Sequence, residues 1–462
     1  MRSNITEFFT RMKNEKVAFI GAGVSHRQLI ELFAKKGITV TLRDKRSAEQ
    51  LGKTFDELTA LGVRMVLGEN YLADIDDTVI FRTPGMYFNT PELICARKSG
   101  IHVTSEMEVF FQLCPCPIYA VTGSDGKTTT TTVISEFLKA EGFNVHLGGN
   151  IGRALLPIIE EISFDDRAVV ELSSFQLMSM RQSPDVAVVT NISPNHLDVH
   201  GTMEEYTDCK KNLLLHQNGF SRTVLNMDNP PTAAFEELVR GECCYFSRQG
   251  KPERGAWVDS DGIIQVTFNG NTAAVMDSRE IKIPGIHNVE NYIAAITAVW
   301  GVVSPENIRK VAREFGGVEH RIEFVRELDG VKWYNDSIAS SPTRTIAGLN
   351  SFNQKLIIIA GGYDKKIPFE PLAPKICEKV KLLILTGHTA EKIETAVRQC
   401  DSFNPDTLKI IHADSMKDAV EKARQNAQSG DIVSLSPACA SFDAYPNFEA
   451  RGRHFKELVH SL

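Results

Sequence analysis

The chain has 462 residues, too many for one hydrophobic core, so several domains are expected. Its composition, 42% hydrophobic and 24% charged, is that of an ordinary soluble globular protein, and a formal charge of -7 excludes the basic excess that nucleic acid or anionic lipid would demand. The polar opening MRSNITEFFTRMKNEK, the lack of any run of about 18 apolar residues and nine scattered cysteines without a metal-ligand cluster predict a cytoplasmic protein with reduced thiols.

In chain order, short β-rich runs alternate with helical patterns, which predicts parallel sheets with crossover helices. The first strand, VAFIG (17–21), leads into GAGVS (21–25) and a helix over 29–36. Gly23, Val24 and Ser25 would offer a helix N-terminus to a diphosphate, although the third glycine of a dinucleotide fingerprint is replaced by His26. A helix over 105–113 precedes Pro115 and Pro117 and ends this block. The strands IYAVTG (118–123), AVVELS (168–173) and VAVVTN (186–191) follow, then an irregular, hairpin-like stretch near 243–283 and a helix over 288–300. LIIIAGG (356–362), LLILTG (382–387) and IVSLSP (432–437) mark a last block that starts near 318. Several strands end in Gly, Ser, Asn or Glu, and in open parallel sheets ligands bind beyond those carboxyl ends.

The stretch VTGSDGKTTT (121–130) lies where a strand meets a helix over 128–140, whose inward positions are Val133, Ile134, Phe137 and Leu138. Gly123 and Gly126 would let the backbone approach a phosphate at the positive helix end. Lys127 would pair with the outer phosphates and the Thr128 hydroxyl would join a Mg²⁺ shell; the strict Walker pattern is incomplete, because Val121 stands at its first glycine. Magnesium needs further hard oxygens, and Glu171 stands at the exit of AVVE, where a capping or solvated glutamate is the alternative. His196, after the strand 186–191, reads by itself as a loop histidine as readily as a ligand.

TGSDGKTT (122–129), GGNIG (148–152), ELSSFQL (171–177), NISPNHLDVHG (191–201), HNVEN (287–291), EHR (319–321), NDS (335–337) and SPACASFDAYPNFEARG (436–452) together resemble the Mur ligase family, ATP-dependent amide-bond ligases of peptidoglycan precursor synthesis. The motifs keep the family's order over nearly the whole chain. The resemblance implies an α/β chain of three domains: an N-terminal Rossmann-like UDP-sugar domain (1–105), a central P-loop ATPase with a mostly parallel sheet (106–317) and a C-terminal Rossmann-like amino-acid domain (318–462). Within the family, SPACASFD and the SSFQL after Glu171 imply addition of D-glutamate to UDP-N-acetylmuramoyl-L-alanine. ATP would phosphorylate the alanyl carboxylate, and the amine of D-glutamate would attack the acyl phosphate, releasing ADP and phosphate. The implied partners are these small molecules, and a monomer is expected.

The same resemblance implies roles residue by residue. ATP would meet Gly123, Ser124, Asp125, Gly126, Lys127, Thr128 and Thr129, with Asn291, Arg321 and Asp336. Thr128 and Glu171 would hold a first metal and His196 a second, aided by a carbamylated lysine; the family's Tyr-x-x-x-Lys spacing falls on Tyr206 and Lys210, with Lys211 competing. Lys127, Glu171, His196 and Lys210 would thus be the catalytic set. The UDP-substrate would take Gly23, Val24, Ser25, Asp44, Arg46, Thr83, Gly85, Asn150 and Ser173, and D-glutamate would take Ser340, Lys365, Ser441, Phe442 and Phe448. Core packing is a second expectation for Phe442 and Phe448. One departure stands out: Ile338 occupies a place where many family members carry lysine, and Arg344 is a candidate replacement cation. The alternatives are a sister ligase or folylpolyglutamate synthetase sharing the ATP half, a nicotinamide-dependent oxidoreductase built on GAGVS, which leaves the Lys127 loop unexplained, and a nucleotide switch, which has no use for Glu171, His196 and Lys210 together.

Overall fold

The structure, a computed structural model, describes residues 4–194 and 200–462, without the side chains of Val24 and Ser25. Two compact units emerge, Met1–Ser278 with Glu290–Val311, and Arg279–Val289 with Ala312–Leu462.

The first unit contains two sheets. One comprises β1 (Lys16–Ile20), β2 (Thr39–Asp44), β3 (Arg64–Leu67), β4 (Val79–Phe81) and β5 (His102–Thr104), in the order β3-β2-β1-β4-β5 and parallel throughout. Val17, Ala18, Phe19 and Ile20 of β1 are all buried, as continuous apolar runs must be when both faces of a parallel sheet are covered. Asn4 caps the preceding helix Ile5–Met12 by accepting from Thr6 N at 2.8 Å, and the helix turns Phe8, Phe9 and Met12 inward. Phe19 stacks on Phe81 at 4.7 Å between ring centroids, and Phe33 meets both edge-on at 5.3 and 5.5 Å.

The other sheet has nine strands: β6 (Ile118–Thr122), β7 (Val145–Gly149), β8 (Arg167–Glu171), β9 (Val186–Val189), β10 (Arg222–Asn226), β11 (Glu242–Ser247), β12 (Gly255–Val258), β13 (Ile263–Phe268) and β14 (Asn271–Asp277). Their order is β14-β13-β12-β11-β10-β9-β6-β8-β7. Pairing is parallel from β7 to β12 and antiparallel over β12, β13 and β14, so the stretch expected to be irregular and hairpin-like holds two antiparallel hairpins, with a register shift between Ile264 and Gln265, that widen the sheet. The chain lays β8 on one side of β6 and β9 on the other, which opens a crevice at the carboxyl end of β6. One apolar core runs through both sheets of this unit.

The second unit carries β15 (Glu323–Leu328), β16 (Val331–Asn335), β17 (Leu356–Ala360), β18 (Val380–Leu385), β19 (Lys409–His412) and β20 (Ile432–Leu435), in the order β15-β16-β20-β17-β18-β19 with only β15 antiparallel. The seven strands expected from sequence all form, each ending one or two residues early because its terminal Gly, Ser, Thr, Asn or Pro turns out of the ladder. Among the described residues no helix is long and apolar enough to cross a membrane.

Removing the ring of Phe33, which is fully buried, leaves a hole in the aromatic cluster. Phe33→Ala is expected to destabilise the first unit by about 3–5 kcal/mol, read as the shift of its urea transition; a shift worth less than about 1 kcal/mol would contradict this packing.

Candidate active site

The turn after β6 is shaped by crowding. Gly123 and Gly126 have φ of 149° and 77°, and a Cβ at either would collide, with Thr190 Oγ1 and Asn291 Oδ1 respectively. The exit of β9 ties the turn down. Ser124 N donates to Asn191 O at 2.8 Å, Asp125 N to Asn191 Oδ1 at 2.9 Å, and Thr190 Oγ1 to Asp125 O at 2.6 Å. Ser124 Oγ donates to Ser193 O and accepts from Ser193 N, both at 2.9 Å, and lies 3.0 Å from Tyr206 OH. Lys127 Nζ donates to Ser124 O at 2.8 Å. Thr128 and Thr129, both buried, open the helix Lys127–Ala140, whose N-terminus carries no side-chain cap, as befits an anion site. Thr130 Oγ1 donates to Asn291 Oδ1 at 3.3 Å, which brings the HNVEN motif to the turn.

Glu171 ends β8 in register with Val121 and Gly149 and is 1% exposed. Its Oε1 accepts from Asn150 Nδ2 at 2.7 Å, whereas Oε2 is buried without a hydrogen-bond partner among the described residues. A buried carboxylate oxygen left unpaired costs stability unless something else neutralises it, and a hard divalent cation is the kind of group that does. Glu171, Thr128 and the turn therefore fit a metal-bound triphosphate by chemistry and placement. His196 lies outside the described residues.

Lys210 is buried near the end of the helix Met203–Lys211, with Nζ 4.5 Å from the Tyr206 ring centroid and 2.9 Å from Gly123 O, to which it donates. Burial, and then the like charge of Lys127, pushes its pKa down to about 7. Lys211 points elsewhere and pairs with Asp208 at 2.7 Å on the surface.

Asn150 and Ser173, expected on the sugar-nucleotide side, belong to this central sheet: Asn150 holds Glu171, and Ser173 caps the short helix Ser174–Leu177 in a capping box with Gln176. The next residue, Ser174, meets His200 Nε2 at 2.9 Å, and the His200 ring stacks on Phe175 at 5.1 Å. Sequence reasoning passed over His200, although it stands in the same NISPNHLDVHG motif as His196.

In the first sheet, Gly23 starts the helix Val24–Lys35, and His26 fills the space a third glycine would leave, its Nδ1 3.1 Å from both Ile20 O and Gly21 O. Burial holds His26 down to about 4, so the ring is neutral. Asp44 accepts from Ala22 N at 2.9 Å and from Arg46 N and Nε at 2.9 and 3.0 Å. Burial alone would raise the Asp44 pKa, but these bonds outweigh it and keep it below its ordinary value. Arg82, 1% exposed, follows β4 and donates to the carbonyls of Thr83, Pro84 and Met86 at 3.3, 3.4 and 2.7 Å, and to Phe175 O and Ser179 Oγ at 3.1 and 3.0 Å. The loop bearing Thr83 and Gly85 is thereby fastened to the segment after Glu171. A charged residue directly behind the apolar VIF strand was the available signal for Arg82.

In the second unit, Arg321 is flanked by left-handed His320 and Ile322, with φ of 64° and 43°. Asp336 is buried, accepts from Ile322 N at 3.3 Å and Ser436 Oγ at 3.4 Å, and is pushed up to about 7 by burial. Lys365 Nζ donates to Ser340 O at 3.4 Å, so two of the expected acceptor residues meet. Ser441 is buried, and its carbonyl accepts from Tyr445 N at 2.8 Å. Phe442 is 62% exposed and touches the Tyr363 ring at 5.8 Å, which rules out the core-packing alternative for it, whereas Phe448 lies edge-on to His320 at 6.0 Å. Arg344 Nη1 donates to Ile338 O at 3.2 Å.

Comparison with known proteins agrees with this layout. Residues 121–299 match the Mur ligase middle domain, and residues 320–439 match the Mur ligase glutamate ligase domain. The chain is 51% identical to the UDP-N-acetylmuramoylalanine–D-glutamate ligase of Acetivibrio thermocellus and 49% identical to that of Clostridium botulinum strain Hall, with all of each chain covered. Among solved structures it is similar in fold to UDP-N-acetylmuramate–alanine ligase from Thermotoga maritima, at 16% identity and a TM-score of 0.58 over 97% of this chain and 99% of that one. A UDP-N-acetylmuramoyl-L-alanyl-D-glutamate–2,6-diaminopimelate ligase is similar at 17% identity and a TM-score of 0.56, over 96% and 92% of the two chains. Two matched domains and end-to-end identity of about half with curated members place this chain in the Mur ligase family.

Proposed function

We propose that the chain joins D-glutamate to UDP-N-acetylmuramoyl-L-alanine at the expense of ATP, forming ADP and phosphate in peptidoglycan precursor synthesis. One observation carries the chemical half of this reading: the unpartnered Glu171 Oε2 beside a turn whose glycines leave room only for backbone. End-to-end likeness to D-glutamate ligases carries the choice of acceptor.

A carboxylate has no leaving group, so an alanyl carboxylate oxygen attacks the terminal phosphorus of ATP and ADP departs. The amine of D-glutamate then attacks the acyl carbon, loses a proton and expels phosphate. The turn 123–126 and the first N–H groups of the helix Lys127–Ala140 bind the triphosphate, and Lys127 counters the charge that builds on the transferring oxygens. Asn291 orders the turn from the adenosine side of the site. Thr128 and Glu171 would hold magnesium, with His196 as the expected ligand of a second ion; magnesium supplies charge neutralisation on the phosphates and the acyl oxygen. Asn150 keeps the Glu171 carboxylate aimed.

Lys210 serves as a carbamate. Its amine, losing a proton on capture of CO₂, becomes an oxygen-bearing anion suited to a cation, and a buried lysine with a pKa near 7 has the neutral form this needs. Gly23, Val24, Ser25, Asp44, Arg46, Thr83 and Gly85 bind the UDP-sugar. Arg321 and Asp336 contact the nucleotide, and Ser340, Lys365, Ser441, Phe442 and Phe448 receive D-glutamate, with exposed Phe442 free to close over it. These roles fit a division into a Rossmann-like domain (1–105), a central ATPase domain (106–317) and a Rossmann-like C-terminal domain (318–462), acting as a monomer in the cytoplasm.

Phosphate release is expected only when ATP, UDP-N-acetylmuramoyl-L-alanine and D-glutamate are all present; equal release with L-alanine or a diamino acid would assign a different acceptor. Lys210→Met is expected to lower kcat by about 100-fold or more, while Lys211→Met stays near wild type. Loading with CO₂ should rise as pH increases through about 7, where the amine becomes neutral. Turnover that is unchanged in rigorously CO₂-free buffer would refute the carbamate.

A further inference from the structure

Three strand exits in the second unit converge on one side chain. Arg451, in the helix Phe448–Ser461, is 3% exposed and makes five hydrogen bonds among the described residues, all to main-chain carbonyls or a hydroxyl. Its Nε and Nη2 donate to Ser337 Oγ and O at 3.0 and 2.8 Å, just past β16. Its Nη1 donates to Cys439 O and Ala440 O, and Nη2 to Cys439 O, each at 3.1 Å, just past β20. Gly362, just past β17, leaves so little space that a Cβ there would stand 3.3 Å from Nη1 and collide with Ala440 O. Ser337 Oγ in turn donates to Phe448 O at 2.8 Å, which closes the network onto the start of Arg451's own helix.

These loops are the ones that bear the expected acceptor residues. Ser340 lies three residues after Ser337, Lys365 three after Gly362, and Ser441 directly after Ala440. We infer that Arg451 is a positioning residue of the acceptor amino-acid site: its planar fork sets the spacing of the three loops, and its buried charge favours an anionic amino acid above them. The inference rests on the D-glutamate reading given above. Only a guanidinium spans these four acceptor atoms with five bonds in fixed directions; an ammonium at the same place reaches fewer of them and with no set plane. The charge also bears on Ile338, which stands where the family resemblance led us to expect a lysine, for Arg451 reaches the segment that precedes it through Ser337.

The test compares Arg451→Lys with the milder Ser337→Ala, both checked for folding by circular dichroism and thermal melting. In Arg451→Lys, KM for D-glutamate is expected to rise on the order of tenfold, with KM for ATP and for the sugar nucleotide within about twofold of wild type; Ser337→Ala should move the same constant by a smaller factor. Amide exchange in 337–341 and 437–441 should quicken while the strands β16 and β20 keep their protection. A uniform rise of all three KM values, or a fall in kcat alone, would show a merely structural role and overturn the proposal, as would unchanged exchange in a folded Arg451→Lys. If the wild-type protein does not turn over D-glutamate, the acceptor reading itself has failed, and amide exchange then decides alone whether Arg451 orders these loops.

Discussion

The buried amine of Lys210 on the carbonyl of Gly123 is the contact on which the rest of the site depends. An amine in that position cannot stay charged cheaply, so its chemistry is set by burial as much as by identity. The same contact joins the helix bearing Lys210 to the phosphate turn, and Tyr206 repeats the link one turn earlier through Ser124. With the turn pinned on this side and by Thr190 and Asn191 on the other, where Ser124 N and Asp125 N donate to Asn191, its shape is fixed at the uncapped start of the helix Lys127–Ala140. Catalysis by positioned charge needs such preorganisation, because groups that must first reorient spend part of their stabilising effect.

Both units use a common device at the carboxyl ends of their sheets. Arg82 in the first and Arg451 in the second are buried guanidiniums whose bonds run mostly to carbonyls, and each fastens one strand exit to another. Loops that carry binding residues are normally the least constrained parts of an α/β fold. A planar donor fork supplies several directional bonds from a single side chain, so it can fix a loop by its backbone and leave the loop's side chains for ligands. Tyr87 adds a further tie, donating to Glu205 at 2.5 Å beside Tyr206, so the loop after β4 is also fastened to the helix that bears Lys210.

The strands were legible from sequence because parallel strands covered on both faces must be continuously apolar, as VAFIG, LIIIA and LLIL are. The turn after β6 was legible because glycine spacing and a following helix pattern announce its backbone geometry locally. The meander formed by β12, β13 and β14 was legible only as hairpin-like, since its alternation is broken by a register shift between Ile264 and Gln265. The partners of Glu171, the buried state of Lys210 against exposed Lys211, and the exposure of Phe442 were likewise hidden, because each depends on contacts between segments far apart in the chain.

By itself, then, the amino-acid order determined which strands form, where the glycine turn before the helix Lys127–Ala140 lies and which family's motifs recur, all of them local patterns set by side-chain period and backbone freedom. Tertiary structure alone decided which lysine meets the turn, that the His26 ring meets the carbonyls of Ile20 and Gly21, that Asn150 serves Glu171, and that Arg82 and Arg451 bind loops instead of acids. The physical reason is that burial and hydrogen-bond partnership are properties of a place in the fold: the same lysine or arginine is a solvated surface group or a buried hub according to what packs around it.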